Sequence, residues 1–446
     1  MTKILKYAPL GNPKRDYKQD KFIISTFKIN GRGSVDLSYE AVKRIIKNLK
    51  EAHFNQIELG WTHPDTIPKA VKVCNEEGLD LIVQNLEMFG SFQDRPGAEN
   101  TEDVAKKVIE LYGNEPCVKG YYIWDEPGQD KDIAEAAKLT NWFFKYAPGK
   151  LNFACYLPSY NDRYNWINNL YPSYVKKFLD EIEPPVVSFD HYPYGISPVT
   201  DDTSDQLDKA HVWKDLSVAR EEAIKRNSPF WFYWMTMRVS KSYPKLLEKE
   251  QLRLQIFYAL LYGAKALQAY GTSGSGCGPD GYNETRTMMT LDGEKAYFYD
   301  SVKEALGEAK MLGKTFMALT SEHVYHDKKL LENDEYFDTH FREDVKKSEI
   351  LDMEELPKRC SIGEFSDGYG NKYVYILNRD YKVENEFYIK LKGEKRIYEV
   401  SGKDSLQYVL YDKTESFNVK LAPASAVLLR VDDAKNPVED IVYICE

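Results

Sequence analysis

The feature that most limits the fold of this chain is a switch of hydrophobic period, from strand-like to helix-like, that recurs eight times over about 250 residues. Phe22 to Phe27 reads as a first strand, and Val42, Ile45, Ile46 and Leu49 as the helix face that follows. Phe54 to Leu59 precedes a helix from about Asp65 to Glu77, and Leu81 to Asn85 precedes one carrying Val104, Val108 and Leu111. A fourth apolar run ends in Trp124-Asp-Glu-Pro127 and leads into a helix from Asp130 to about Tyr146. Leu151 to Leu157, Pro185 to Phe189, Phe230 to Met235 and Ala266 to Tyr270 supply the remaining strands, with a closing helix over Glu294 to Leu312. This alternation predicts an α/β fold, a (β/α)8 TIM barrel whose functional groups gather at the C-terminal ends of the strands.

Beyond about residue 330 the period becomes that of short strands separated by turns. Tyr373 to Leu377, Glu386 to Leu391, Gln407 to Tyr411, Phe417 to Leu421 and Ala426 to Val431 predict a C-terminal antiparallel β-sandwich. The expected division is a barrel over residues 1–320 and a sandwich over 335–446.

Composition narrows the class of partner. A net charge of −10 and a pI near 5.5 argue against a nucleic-acid backbone. No stretch approaches the length of a membrane span, so no membrane partner is expected. The six cysteines lack CxxC or zinc spacing and read as free, mostly buried thiols. Met1 to Leu10 carries no export-type apolar run. A cytoplasmic location is the expectation for the chain as it stands, and a periplasmic or secreted one if an export segment precedes it.

Placing each strand end at one rim gathers a particular set of side chains. Strand two offers Glu58 and Trp61, strand three Glu87, and strand four Trp124, Asp125 and Glu126. Strand six offers Asp190, His191, Tyr192 and Tyr194, strand seven Trp231 and Trp234, and strand eight Tyr270. Carboxylates interleaved with indoles and phenols suit glycosidic-bond hydrolysis in an oligosaccharide or glycan chain. One acid protonates the leaving oxygen, a second serves the oxocarbenium-like centre, and aromatic faces stack on the sugar. The expected partner is a carbohydrate, with no cofactor and no metal.

Tyr121-Tyr-Ile-Trp-Asp-Glu-Pro127, Phe189-Asp-His-Tyr-Pro-Tyr194 and Pro229-Phe-Trp-Phe-Tyr-Trp234 resemble stretches of (β/α)8-barrel glycoside hydrolases. Arg253 to Gly263, followed by a strand and Leu291-Asp-Gly293, is similar to the end of the barrel in family 42-like β-galactosidases and their uncharacterised gut-bacterial relatives. The resemblance covers roughly residues 20–320 and implies that Glu126 is the general acid/base. Such enzymes carry a nucleophilic glutamate at the end of strand seven, and Trp231 to Met237 contains no acid. Asp190 is one substitute. The other is Asp125: the Asp125-Glu126 pair resembles family 20 and family 123 hexosaminidases, in which the substrate's acetamido group attacks and the aspartate orients it. Two further readings stand beside these. Glu58, Glu87, Asp190 and His191 could form the metal set of a sugar isomerase-like barrel. The empty strand seven would also suit a carbohydrate-binding barrel that has lost its nucleophile.

Overall fold

A computed structural model describes residues 2–29, 36–84, 101–160, 170–195, 212–236, 247–273, 287–331 and 343–446. Strand β1 (Thr2–Tyr7) is followed by β2 (Ile23–Thr26), α1 (Tyr39–Glu51), β3 (Gln56–Glu58), α2 (Ile67–Glu77) and β4 (Asp80–Val83). Next come α3 (Thr101–Tyr112), β5 (Val118–Asp125), α4 (Asp130–Tyr146), β6 (Leu151–Cys155), α5 (Tyr171–Ile182) and β7 (Val187–Asp190). The alternation ends with α6 (Val212–Arg226), β8 (Phe230–Met235), α7 (Lys249–Leu261), β9 (Ala266–Tyr270) and α8 (Tyr299–Phe316).

Local chemistry sets several of these boundaries. The Ser38 hydroxyl accepts from Ala41 N and caps α1, and Gly78, left-handed at φ 67°, ends α2. The last helix of the alternation starts later than its periodicity suggests. Ala296 N bonds Met288 O and Phe298 N bonds Thr287 O, so this stretch folds back on the preceding segment before α8 begins.

Strands β3-β4-β5-β6 form one four-stranded parallel sheet and β2-β9-β8-β7 another. Backbone hydrogen bonds tie the two at both seams. Tyr156 N donates to Ser188 O at 3.1 Å beside β6 and β7, while Asn55 N donates to Ile24 O at 3.0 Å and Gly60 N to Phe27 O at 2.7 Å beside β2 and β3. Side chains alternate between two surroundings, as a pleated strand requires. Ile23, Ile82, Tyr122, Phe153, Trp231 and Tyr233 share one apolar cluster between the sheets. Their sequence neighbours, among them Ile24, Tyr121, Phe232 and Trp234, pack outward among the helices.

The C-terminal part contains β10 (Leu319–His326), β11 (Cys360–Asp367), β12 (Lys372–Asn378), β13 (Asn385–Val400), β14 (Gln407–Leu421), β15 (Ala426–Asp433) and β16 (Asp440–Cys445). Six of them make one antiparallel sheet in the order β10-β11-β12-β15-β13-β14, and β16 pairs in parallel with β1. The sheet's first strand lies ahead of residue 335, where the tail was expected to start. Gln407 to Tyr411 and Phe417 to Leu421, read as separate strands, are one: register shifts against β13 carry the pairing through the charged residues between them. On β12, Tyr373, Tyr375 and Leu377 face the helices of the parallel-sheet unit, with Tyr375 and Phe316 ring centroids 5.4 Å apart. Val374 and Ile376 face a second core formed by the sheet itself. Among the described residues no helix is long and apolar enough to cross a membrane, and the five described cysteines are free, four of them buried.

Candidate active site

The end of β5 brings two adjacent acids to the same side of the chain. A regular strand would send Tyr122 and Asp125 to opposite faces, because their separation is odd. Pairing with β6 shifts register between Tyr122 and Trp124, and that irregularity turns Asp125 toward the Tyr122 side. The Tyr122 hydroxyl donates to Asp125 Oδ1 at 2.7 Å, and Trp61 Nε1 donates to Asp125 Oδ2 at 3.1 Å. Glu126 then adopts φ 53°, a left-handed conformation that a glutamate occupies at a cost of ~1 kcal/mol or more. Its own N–H remains bonded to Cys155 O at 3.0 Å, so the turn leaves the β6 ladder intact.

Asp190, the last residue of β7, meets this turn. Its carboxyl lies within hydrogen-bonding reach of both Glu126 and the Tyr192 hydroxyl. It is 6 % exposed, and its Oδ1 has no hydrogen-bond partner among the described residues. Burial, then the charges of Glu126 and Asp125, push its pKa well above the usual carboxylate range. Two carboxyls this close each disfavour the ionised form of the other.

Aromatic residues flank the three acids. Tyr192 and Tyr270 ring centroids lie 4.9 Å apart, and Tyr270 is stacked at 6.0 Å on Phe27. Trp61, like Glu126, has a left-handed backbone at φ 53°, and its N–H is held by Gln84 Oε1 at 2.7 Å. Gly60 before it leaves room for the Phe27 ring, which a Cβ there would approach to 2.3 Å. Trp61, Tyr192 and Tyr270 are all partly exposed, as rings that meet a ligand must be.

Several expected rim residues lie elsewhere. Glu58 is fully buried between the sheets, where Ser25 Oγ (2.6 Å), Gln268 Nε2 (2.9 Å), Gln56 Nε2 (3.3 Å) and the Tyr233 hydroxyl bond its carboxyl. Burial raises its pKa against the pull of those four donors. Trp231 sits near the start of β8, at the opposite end from the acids, and its Nε1 donates to Gln19 Oε1 at 2.9 Å. Trp124 and Trp234 point outward into the strand–helix layer, and Tyr194 is buried there as well. The reason is common to the tryptophans: they were assigned to the rim by strand, but position along the strand and its alternating faces decide what a side chain touches.

His191 also turns away from the acids. Its Nδ1 pairs with Asp215 Oδ2 at 2.7 Å, and the same oxygen accepts from Ser159 N at 3.0 Å. Asp215 therefore fastens α6 to the segments that follow β6 and β7. With Glu58 between the sheets and His191 held by Asp215, these residues and Asp190 do not converge on one ion. Glu87 lies outside the described residues. No cluster of three or more potential metal-ligating His, Cys, Asp or Glu occurs among the described residues.

Three members of the site were missed in the sequence: Tyr122, Gln84 and Lys28. The last could have been found, because Lys28 follows the first strand much as Asp125 and Glu126 close the fourth. The Lys28 Nζ hydrogen-bonds the Tyr270 hydroxyl at 3.2 Å.

The chain is similar in fold to solved glycoside hydrolases. One such structure superposes with a TM-score of 0.55 at 12% identity, over 97% of this chain and 100% of that one. A family 5 glycoside hydrolase from Bacteroides vulgatus superposes with a TM-score of 0.56 at 12% identity, over 97% of this chain and 96% of that one. No protein-family model matches the chain, and none of the curated proteins matches it in sequence. Identity this low establishes a glycoside-hydrolase-like fold, and the chemistry has to be argued from the site.

Proposed function

We propose that the protein is a glycoside hydrolase on a (β/α)8 barrel, with Glu126 as the general acid and Asp190 as the carboxyl that shares its proton. The observation that carries this reading is the contact between these two carboxyls, one of them nearly sealed from water, beside a third acid and partly exposed aromatic rings. A proton shared with Asp190 is the one Glu126 donates. As the glycosidic bond breaks, that proton passes to the leaving oxygen, and the pair is left with the negative charge. An attacking water later returns a proton to it.

The contact also limits the role of Asp190. Paired catalytic carboxyls that flank a glycosidic bond stand about 5–5.5 Å apart in retaining enzymes and about 6.5–9.5 Å in inverting ones. Carboxyls within hydrogen-bonding reach of each other stand closer than either spacing. Asp190 is therefore assigned to the proton. Asp125, with one hydrogen bond on each oxygen from Tyr122 and Trp61, is the group left to face the sugar. That fixed orientation favours the substrate-assisted form, in which an acetamido group of the substrate attacks and Asp125 holds it. In this reading catalysis belongs to residues 1–320, and the segment 335–446, read as a β-sandwich, supports the barrel.

The test is a screen of aryl glycosides, N-acetylhexosaminides included, with the wild type and Glu126→Gln. Hydrolysis abolished or strongly reduced in the variant is the expected result. Sugar binding without turnover by the wild type would replace the enzyme with a carbohydrate-binding protein.

A further inference from the structure

The turn that carries Asp190 is held from the side by Tyr160. Tyr156 N donates to Ser188 O at 3.1 Å, and the next donor in that parallel register would be residue 158. Pro158 has no N–H, so the ladder between β6 and β7 stops short of Asp190. The chain turns there, and the Tyr160 hydroxyl accepts from Tyr192 N at 3.1 Å. The Tyr160 ring meets the His191 imidazole edge-on, with ring centroids 4.8 Å apart. His191 Nδ1 and Ser159 N both bond Oδ2 of Asp215, which is fully buried on α6. The contacts thus close a ring from Asp215 through Ser159 and Tyr160 to Tyr192 and His191. On the other side, His191 N donates to Tyr233 O of β8 at 3.4 Å.

We propose that Tyr160 is a positioning residue for Asp190, acting through Tyr192, with Asp215 setting Tyr160 in place. The inference rests on the reading that Asp190 shares the proton of Glu126. Tyr192 is the link, because its hydroxyl bonds Asp190 and its N–H is held by Tyr160. Anchored at its backbone and at its side chain, Tyr192 keeps little freedom to turn, and Asp190 little freedom to move away from Glu126. Partial burial and then the charge of Asp190 raise the pKa of Tyr160, with Glu126 adding to both, so the hydroxyl stands close to the acid pair. Transfer of a shared proton depends on the separation of its two holders, and a misplacement of ~1 Å costs on the order of 10²-fold in rate. Loss of the Tyr160 hydroxyl therefore reaches the chemistry, although its effect passes through Tyr192.

The experiment is a double-mutant cycle of Tyr160→Phe and Asp190→Asn, read by aryl glycoside kinetics and by Tm at pH 8. Phenylalanine keeps the ring against His191 and removes only the acceptor of Tyr192 N. Tyr160→Phe should lower kcat roughly 10- to 100-fold, with KM held within about threefold. In the Asp190→Asn background it should lower kcat little further, because the group it positions is gone. Burial is the leading cause of the raised Asp190 pKa, so a loosened turn that admits water removes the reason asparagine stabilises the fold. The Tm gain of Asp190→Asn at pH 8 should therefore be largely lost in the Tyr160→Phe background. A wild-type kcat in Tyr160→Phe, losses that multiply between the two sites, or an undiminished Tm gain would overturn the proposal. The last two are what a purely structural tyrosine gives. If Tyr160→Phe does not fold, Asp215→Asn takes its place in the same cycle with the same outcomes. If the wild type hydrolyses no glycoside, the Tm cycle decides alone, and a lost gain upholds the positioning role while removing the proposed enzyme.

Discussion

The Tyr122 hydroxyl donates to Asp125 Oδ1 across three positions of one strand, at 2.7 Å. In a regular strand those two side chains lie on opposite faces, so the bond exists only because the strand is irregular between them. The same irregularity, followed by the left-handed turn at Glu126, delivers both adjacent acids to Asp190. The bend is made by Glu126 itself, ahead of Pro127.

Glu126→Gln should lower turnover of substrates with poor leaving groups by about 10²–10⁴-fold, the range of general acid catalysis. Activated aryl glycosides need less protonation and should lose less. Steady-state kinetics on the two substrate types check this, and equal losses would take the acid role from Glu126.

Asp190→Asn separates function from stability through pH. The pKa of the wild-type carboxyl is raised in the folded state, so it imposes no cost below its unfolded value and destabilises the fold as pH rises through the folded value. Asparagine removes that cost, and Tm should rise by about 1–3 °C at pH 8, with the gain vanishing near pH 4. Turnover should fall at both pH values. A variant less stable than wild type at pH 8 would contradict the buried, proton-holding carboxyl.

Asp125 and its donors report on the attacking group. If the substrate's acetamido group attacks, Asp125→Asn should slow N-acetylhexosaminides by roughly 10²–10³-fold, as loss of an electrostatic partner in the transition state does. Tyr122→Phe should act in the same direction and more weakly, while costing about 1 kcal/mol of stability for the lost hydrogen bond. Activity confined to sugars without an acetamido group would exclude the substrate-assisted form.

Trp231 gives the contrasting case. Trp231→Phe breaks the bond to Gln19 and leaves a gap beside Phe153, whose ring lies 5.5 Å away, and should cost about 1–3 kcal/mol. Its KM for any substrate should equal that of the wild type. A raised KM with an unchanged Tm would return Trp231 to the sugar site.

How far the chain can be read without its structure follows from what each signal encodes. The switch of period from strand to helix depends on which residues avoid water, and that was enough to place β8 and β9 at their observed ends. The rule that functional groups collect at C-terminal strand ends was enough to pick out Asp125, Glu126 and Asp190 as candidates, and the structure brings the three close together. Period alone could not carry the charged middle of β14, where pairing with β13 holds the strand together.

The sequence by itself determined the order of strands and helices and the acids that end β5 and β7, because both follow from local hydrophobic pattern. It also listed the aromatic residues but could not say which face of a strand, or which end, each would occupy. Tertiary structure decided that Trp61 meets Asp125 while Trp124 and Trp234 serve the outer layer, that His191 belongs to Asp215, and that Glu58 is enclosed by four donors. One register shift and one left-handed residue brought Glu126 to Asp190, and such backbone irregularities are settled by pairing between strands far apart in the chain.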